Sequence, residues 1–255
     1  MRKGGRASAD ILARFPKQRP VLPESIASIY NIIYEQNREG KTAASSITRK
    51  MESWLHRKVA ADVSASDYKY DTLEIGAGTL NQLDYEKATG RYDIVEPFKE
   101  LYESSPNLRK VDDFYDNISD VLGCRVYDRI TSVATFEHIC ELPEVIAKAG
   151  ILLKNDGVLR VAIPSEGTFL WTLGWKLTTG LEFKLKHGLD WGDLMAHEHV
   201  NTALEIDVLL NYFFNDVRSS VFGLTKSFSF YQYYESRNPK LDRCNNFEIK
   251  ASSPL

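Results

Sequence analysis

The sequence predicts an α/β fold built on a doubly wound, mostly parallel sheet of seven strands with an antiparallel hairpin at one edge. From Tyr70 onward, short β-rich runs alternate with helix-like segments, a pattern typical of parallel sheets covered by helices on both faces. The last two β-rich runs lie close together in the chain, which favours an antiparallel edge pair. The predicted strands are Thr72–Ile75, Tyr92–Glu96, Arg109–Val111, Arg129–Val133, Val158–Ile163, Val217–Phe222 and Phe228–Tyr234.

The chain is predicted to contain an arm and a helical cap ahead of the sheet. Basic and small residues fill residues 1–22 and prolines punctuate their end, which favours a flexible arm. In residues 23–66 apolar residues recur every three or four positions, the period of amphipathic helices. Residues 67–240 are assigned to the main domain with an insert at residues 165–200, and residues 241–255 to a tail.

The composition restricts the classes of function. The chain has 255 residues of which 43% are hydrophobic, enough for one large α/β domain. Its net charge of -3 gives no overall field for nucleic acid, so no nucleic-acid partner is predicted. The three cysteines lack ligand spacing, and their odd number argues against a disulfide framework. Because neither a signal-peptide core nor a membrane-length apolar run is present, we predict a cytoplasmic protein.

The strongest local signal is the run Leu-Glu-Ile-Gly-Ala-Gly-Thr at residues 73–79, which follows an apolar strand. Glycine lets the backbone turn sharply and approach a ligand, and a following helix N-terminus offers free N–H groups. A structural turn without a ligand is the alternative for the glycines alone. Glu96 ends the next strand 22 residues after Glu74, where a carboxylate can accept hydrogen bonds from ribose hydroxyls. Together these features predict a nucleotide-type site.

Several motifs in order resemble those of class I S-adenosylmethionine-dependent methyltransferases. Residues 74–78 are similar to the family's first motif, and Glu96 matches its ribose-binding acid. Val-Asp-Asp-Phe at residues 111–114 resembles the third-strand segment beside the adenine. Residues 128–139 resemble the fourth strand and the turn beside the methyl donor. Residues 152–159 resemble the Leu-Lys-x-x-Gly run that leads into the fifth strand.

The resemblance implies a Rossmann-like methyltransferase fold with S-adenosylmethionine as the cofactor. The chain departs from the glycine motif at Thr79, where a third glycine is often found. That departure argues against the dinucleotide fingerprint and therefore against a dehydrogenase. The cofactor-binding residues that the resemblance implies are Glu74, Gly76, Gly78, Glu96, Asp112, Asp113, Phe114 and Thr135.

Two histidines are candidate catalytic residues. Methyl transfer requires alignment of donor and acceptor and, for a hydroxyl or amine, removal of a proton. His138 follows the predicted fourth strand and titrates near neutrality, so it is a candidate general base; a packing or capping role is the alternative. His199, in the run His-Glu-His-Val-Asn at residues 197–201, is a candidate base or hydrogen-bonding group for the substrate. No third ligand stands at a recognised spacing, so no metal site is predicted.

The insert at residues 165–200 is predicted to contribute to acceptor binding. Its aromatic residues among leucines and lysines suit a sugar face, an apolar acceptor or a membrane interface, and ordinary packing is the alternative. Arg-Pro-Val-Leu-Pro-Glu at residues 19–24 and Gly-Thr-Leu-Asn at residues 78–81 look like methyltransferases of surface-polysaccharide gene clusters. We expect a small-molecule acceptor, preferably a sugar hydroxyl of a surface glycan or nucleotide sugar. The alternatives are a methyltransferase of protein or another macromolecule, and a non-catalytic donor-binding module.

Overall fold

The structure, a computed structural model, describes residues 8–30, 46–87, 90–123 and 125–251. Its strands are β1 (Thr72–Ile75), β2 (Tyr92–Val95), β3 (Phe114–Tyr115), β4 (Tyr127–Val133), β5 (Leu153–Pro164), β6 (Phe214–Thr225) and β7 (Phe228–Pro239). They form one seven-stranded sheet in the order β3-β2-β1-β4-β5-β7-β6. Strands β1 to β5 are parallel, and β7 is antiparallel to both β5 and β6. The predicted fold class, including the antiparallel hairpin, is confirmed.

Helices connect the strands and cover the sheet. Two short helical segments, α1 (residues 8–12) and α2 (residues 24–30 within the described range), precede it. The other helices are α3 (Ser46–Val59), α4 (Ala61–Ser64), α5 (Lys99–Tyr102), α6 (Leu142–Leu152), α7 (Phe169–Trp175), α8 (Leu181–His187), α9 (Trp191–Glu198), α10 (Ala203–Phe213) and α11 (Leu241–Ala251).

The core is built from residues whose pattern also specifies the elements. All four residues of β1 are buried, as expected of a central parallel strand covered on both faces. Ile130 on β4 and Leu159 on β5 are fully buried in the same cluster as Ile146 on α6. Helix α10 begins with a capping box, in which Thr202 and Glu205 satisfy each other's backbone N–H groups.

The predicted third strand, Arg109–Val111, is wrong. Leu108–Lys110 form a 3-10 turn, held by Lys110 N–H donating to Asn107 O at 2.9 Å, and β3 comes later at Phe114–Tyr115. This segment lies at the edge of the sheet, where a strand has a single pairing partner, so local i→i+3 bonds compete with the ladder. The strand therefore ends about four residues further along the chain than predicted.

The N-terminal segment contacts the main domain next to the carboxyl end of the sheet. Ile11 is buried in the main core cluster. Lys17 Nζ forms an ion pair with Glu205 at 2.7 Å. The Arg19 guanidinium donates to the main-chain oxygen of His138 at 2.8 Å. These contacts bring the Arg19 side chain to the turn after β4 and the Lys17 side chain to the start of α10; the flexibility of residues 1–22 stays a prediction.

The second N-terminal helix packs on the segment between β5 and α10. Ile26 of α2, Phe183 of α8 and Leu194 of α9 form one buried cluster. Residues predicted as the cap and as the insert therefore form one layer in the described part of the chain. The division into arm, cap, main domain, insert and tail stays a prediction.

A buried arginine ties α3 and α4 to the sheet. Arg129 on β4 is fully buried and forms ion pairs with Glu86 at 2.8 Å and Asp62 at 3.1 Å. Its Nη2 also donates to Val59 O, at the end of α3. Because a charge without water needs partners for all its donors, this network fixes the helix position against β4.

Candidate functional site

A cleft opens at the carboxyl ends of β1, β2 and β4, the edge where parallel sheets bind ligands. One part of it, the Glu96 cavity, has a volume of about 690 Å³ and includes Glu96 and Asn117 in its lining. A second part, the His199 cavity, has a volume of about 430 Å³ and includes His199 in its lining. The residues that line both are Gly76, Gly78, Ala134, Thr135 and His138.

The glycine loop after β1 passes very close to the turn after β4. Gly76 has a φ of 71°, and a Cβ at this position would lie 2.2 Å from Thr135 Cγ2. Gly78 has a φ of 51°, with no atom within 4 Å of the place where a Cβ would be. Gly76 is therefore required by packing, whereas Gly78 faces open space. The helix expected after the loop is only a 3-10 turn, Asn81–Asp84, so its dipole contributes little.

Glu96 joins the loops that follow β1 and β2. Its carboxylate accepts the Gly78 N–H at 2.9 Å and the Phe98 N–H at 3.1 Å. Glu96 is buried, at 6% exposure, yet lines the cavity that carries its name. The two backbone donors fix the carboxylate at the end of β2 before any ligand binds.

Glu74 lies at the back of the His199 cavity. It is 2% exposed, and Tyr92 Oη donates to its Oε2 at 2.7 Å. Burial raises the pKa of Glu74 to about 8, and the hydrogen bond from Tyr92 opposes the shift only in part. Burial therefore keeps this carboxyl protonated to a higher pH than an exposed glutamate.

The structure does not bring Asp112, Asp113 and Phe114 to the cleft, because they precede or begin β3 instead of following it. Asp112 accepts the Tyr92 N–H at 2.8 Å. Phe114 stacks on Tyr102 with ring centroids 5.3 Å apart. The partners of the Asp113 carboxylate are Arg91 and Arg125.

The residues that follow β3 line the Glu96 cavity at this place. They are Asp116, Asn117 and Ile118, in the turn that begins the next 3-10 helix. Asn117 caps that helix by accepting the Ser119 N–H at 2.9 Å. The Asp-Asn pair at the end of an aromatic run is a turn signal that could have located the end of the strand.

His138 and His199 meet although 61 positions separate them, and their ring centroids lie 4.8 Å apart. The segment that carries His199 is held against the turn after β4 by Asn201. The Asn201 side-chain amide donates to Phe136 O at 2.8 Å and to Ile139 O at 2.7 Å. The proximity of the two rings therefore depends on this long-range docking.

Each of the two histidines has its Nδ1 atom engaged by an acceptor. His138 Nδ1 lies 2.9 Å from the main-chain oxygen of Glu198, and His199 Nδ1 lies 2.7 Å from Glu166 Oε2. A carbonyl or an ionised carboxylate only accepts, so both Nδ1 atoms carry hydrogen. Trp171 Nε1 donates to the same Glu166 oxygen at 2.7 Å and so orients that carboxylate.

The carboxylates around His138 favour its charged form. Burial lowers the pKa of His138, but the hydrogen bond to Glu198 and the neighbouring carboxylates of Glu137 and Glu198 outweigh it and raise the pKa. Burial likewise raises the pKa of Glu198, yet hydrogen bonds with His138 and Tyr30 and the nearby Arg19 lower it to about 2. Glu198 is thus a carboxylate at every physiological pH.

Glu137 is a buried carboxyl between the two histidines. It is 1% exposed, and burial holds its pKa above the usual range despite the opposing effect of His138 and His199. Its Oε1 lies 3.8 Å from His138 Nε2, and its Oε2 has no hydrogen-bond partner within the described residues. Glu137, His138 and His199 each offer one donor atom, and these atoms lie within 4.8 Å of one another.

Of the residues in this group, His138 and His199 were predicted from the sequence, whereas Glu166 and Tyr231 were not. Glu166 follows β5 directly, and position at the carboxyl end of a parallel strand is a signal that could have found it. Tyr231 lines the His199 cavity from β7, and no sequence pattern marks it. His197 turns away from the pair and bonds Pro20 O through Nδ1 at 2.7 Å.

The strand order, the antiparallel β7 and the acidic residue facing a glycine loop define the class I methyltransferase fold. Among solved structures, the plantazolicin methyltransferase BpumL with a monoazolic desmethylPZN analog and SAH is similar over 92% of this chain and 99% of its own, at 12% identity and a TM-score of 0.60. An O-methyltransferase family protein from Burkholderia thailandensis is similar over 93% of this chain and 71% of its own, at 13% identity and a TM-score of 0.53. No protein-family model and no curated protein sequence matches the chain. At such identities the likeness is one of fold.

Proposed function

We propose that this protein is an S-adenosylmethionine-dependent methyltransferase of a small-molecule acceptor, with a sugar hydroxyl of a surface glycan or nucleotide sugar preferred. The observation that carries the proposal is the Glu96 carboxylate, fixed on the Gly78 N–H at 2.9 Å in a cavity that opens into a second one lined by ionisable side chains. A donor and an acceptor can occupy adjoining spaces in this arrangement.

The Glu96 cavity suits the nucleoside part of the donor. The oriented carboxylate of Glu96 can accept hydrogen bonds from the ribose, and the half-exposed ring of Phe98 and the buried Ile118 offer apolar contact to the adenine. Gly76 and Gly78 present backbone to the middle of the donor, with Thr135 opposite. In this proposal Asp116, Asn117 and Ile118 take the place predicted for Asp112, Asp113 and Phe114.

The His199 cavity suits the reactive part of the donor and the acceptor. Glu74 at its back is the carboxyl placed to pair with an ammonium group. The donor supplies an electrophilic methyl group on a sulfonium. His138 and His199 face the same space, where they can orient a hydroxyl and receive its proton. Trp171 and Tyr231, with ring centroids 5.6 Å apart, offer apolar faces of the kind that sugars pack on.

The segment after β5 carries an exposed apolar stripe that suits a membrane surface and hence a lipid-linked acceptor. Its members recur every four residues along α7, the following π turn and α8, and are between 39% and 80% exposed: Phe169, Leu173, Leu177, Leu181 and Leu185. Lysines at positions 176, 184 and 186 stand among them, as in helices that bind anionic interfaces. No helix in the described ranges has the length and apolar character to cross a bilayer. Peripheral contact from the cytoplasmic side is therefore the form of membrane association proposed.

Calorimetric titration with S-adenosylmethionine and S-adenosylhomocysteine tests the donor site. We expect the wild type to bind both and the Glu96→Ala variant to lose at least about 1.5–3 kcal/mol, the value of a charge-assisted hydrogen bond. His187→Ala, on α8 and away from the cleft, is the matched control and should bind normally. Folded wild type that binds neither ligand would refute the proposal.

Turnover on acceptors and vesicle binding test the finer claims. Methyl transfer from labelled donor to nucleotide sugars or lipid-linked glycans, reduced in His138→Ala and His199→Ala, supports a hydroxyl acceptor. Donor binding without transfer to any member of that panel points instead to the non-catalytic module.

Vesicles that contain anionic lipid should bind the wild type, and they should bind the double variant Leu177→Glu with Leu185→Glu less. Equal binding of the two proteins would contradict the membrane contact.

A further inference from the structure

We propose that Glu137, His138 and His199 form a binding site for a divalent transition-metal cation, with Zn²⁺ as the prototype. The three side chains come from the turn after β4 and the segment after α9, and one donor atom of each lies within 4.8 Å of the others. Two imidazoles and one carboxylate are a donor set that such cations prefer. The inference rests on this cluster alone and not on the proposed methyl transfer, in which the two imidazoles can receive a proton only while the site holds no cation.

Both histidines are already oriented as metal ligands usually are. A metal-bound histidine typically donates its second N–H to a carboxylate or a main-chain carbonyl, which fixes the tautomer. Here His138 Nδ1–H donates to Glu198 O at 2.9 Å and His199 Nδ1–H donates to Glu166 Oε2 at 2.7 Å. In each neutral ring the lone pair is therefore on Nε2, which is the atom left for a cation.

Glu137 is the carboxyl group of this cluster with an unsatisfied oxygen. It is 1% exposed, its Oε2 has no hydrogen-bond partner within the described residues, and its Oε1 lies 3.8 Å from His138 Nε2. A buried carboxylate with an unpartnered oxygen is costly in its charged form, so this group needs either a proton or a cation. A cation bound by both imidazoles would lie beside it and supply the missing charge.

The donor atoms are close enough to bind one cation if the side chains rotate towards it. A tetrahedral cation about 2.1 Å from each donor holds donors about 3.4 Å apart, so the widest separation of 4.8 Å must shorten by about 1.4 Å. Three protein ligands leave a position open towards the His199 cavity, as in catalytic sites. The nitrogen donors favour Zn²⁺ or Co²⁺ over Mg²⁺, Ca²⁺ and Mn²⁺, which prefer oxygen.

Titration of the chelator-treated full-length chain with Zn²⁺, and separately with Co²⁺, tests the site. We expect one equivalent of Zn²⁺ to bind and Co²⁺ to show the visible absorption of a nitrogen-ligated ion. Glu137→Gln and His199→Ala should abolish both signals. Glu166→Gln, which removes the negative charge of the carboxylate that His199 and Trp171 share, should weaken binding by about 10-fold or more. His187→Ala is the control that should retain the site.

Thermal unfolding and SAH titration of every variant separate the outcomes. If folded wild type binds no Zn²⁺, or if Glu137→Gln and His199→Ala bind it as the wild type does, the metal site is refuted whatever the donor titration shows. Should Glu137→Gln fail to fold, folded His199→Ala carries the test. Zn²⁺ binding by protein that does not bind SAH would support this site and refute the proposed function.

Discussion

Replacing Gly78 by alanine separates the part of the glycine loop that serves the fold from the part that serves the ligand. Gly76, at a φ of 71°, would place its new Cβ 2.2 Å from Thr135 Cγ2, whereas Gly78, at a φ of 51°, has nothing within 4 Å. Because Gly78 lines both cavities, a methyl group added there enters the cleft. Gly188, which ends α8 at a φ of 70° with open space around it, offers the same strain away from the cleft.

The magnitudes follow from this geometry. Left-handed backbone costs an alanine about 1–2 kcal/mol, so Gly78→Ala and Gly188→Ala should each lower the free energy of unfolding by that amount. Gly76→Ala adds overpacking of about 1–3 kcal/mol against Thr135. The expected effects on donor affinity rank the variants differently from the effects on stability. Gly78→Ala should lose at least about 10-fold, because the donor can no longer approach the backbone, while Gly188→Ala should be unchanged.

Urea denaturation and calorimetry with SAH measure the two quantities on the same samples. Equal destabilisation by Gly76→Ala and Gly78→Ala would show that the contact with Thr135 does not decide the stability of the loop. Wild-type affinity in folded Gly78→Ala would refute the placement of the donor over this loop. A parallel loss in Gly188→Ala would mean that affinity follows global stability and not the cleft.

Three further predictions concern single side chains. The pKa of Glu74 is raised to about 8, so its contribution to stability is fully present below the unfolded pKa near 4.5 and is lost as pH rises through 8. Between pH 5 and pH 8 the unfolding free energy of Glu74→Gln should therefore fall less than that of the wild type, and the difference should be on the order of 4 kcal/mol at most. Equal dependence of the two unfolding free energies on pH would contradict the shift. Arg129→Ala leaves the buried Glu86 side chain without its cation, while Asp62 keeps Arg160 at 3.4 Å, and should cost about 3–5 kcal/mol in urea denaturation; a loss under about 1 kcal/mol would show that the network is not needed. Arg19→Ala removes exposed hydrogen bonds to three main-chain oxygens. Trypsin should therefore cut the N-terminal segment faster, while the global free energy of unfolding stays nearly unchanged. An unchanged cleavage rate would show that these hydrogen bonds do not hold the segment in place.

Local patterns were sufficient where burial imposes a strong period. Strand β1 was predicted to the residue, because an apolar run that ends in Gly-x-Gly has few other conformations. The hairpin of β6 and β7 was predicted in place, and both strands extend beyond the predicted runs. Strand β7 has a mostly buried interior, whereas β6 at the edge is largely exposed.

The third strand shows where local patterns fail. Arg109–Val111 has the composition of a short strand, yet residues at a sheet edge gain little from pairing, and a 3-10 turn formed instead. Asp112, Asp113 and Phe114 were predicted beside the adenine from a strand that ends about four residues too early, whereas residues 116–118 line the Glu96 cavity after β3. The role of the three predicted residues in cofactor binding stays a prediction.

The sequence by itself determined the α/β class, the glycine loop and the acidic end of β2, because each depends on residues close together in the chain and on backbone conformations that few residue types adopt. Only the tertiary structure decided that His138, Glu137 and His199 face one another across 61 positions, with Glu166 behind them. That assembly depends on Asn201 holding two main-chain oxygens of the turn after β4 and on helices packing over β5. Contacts of this kind are long-range, and no period or spacing in a single chain encodes them.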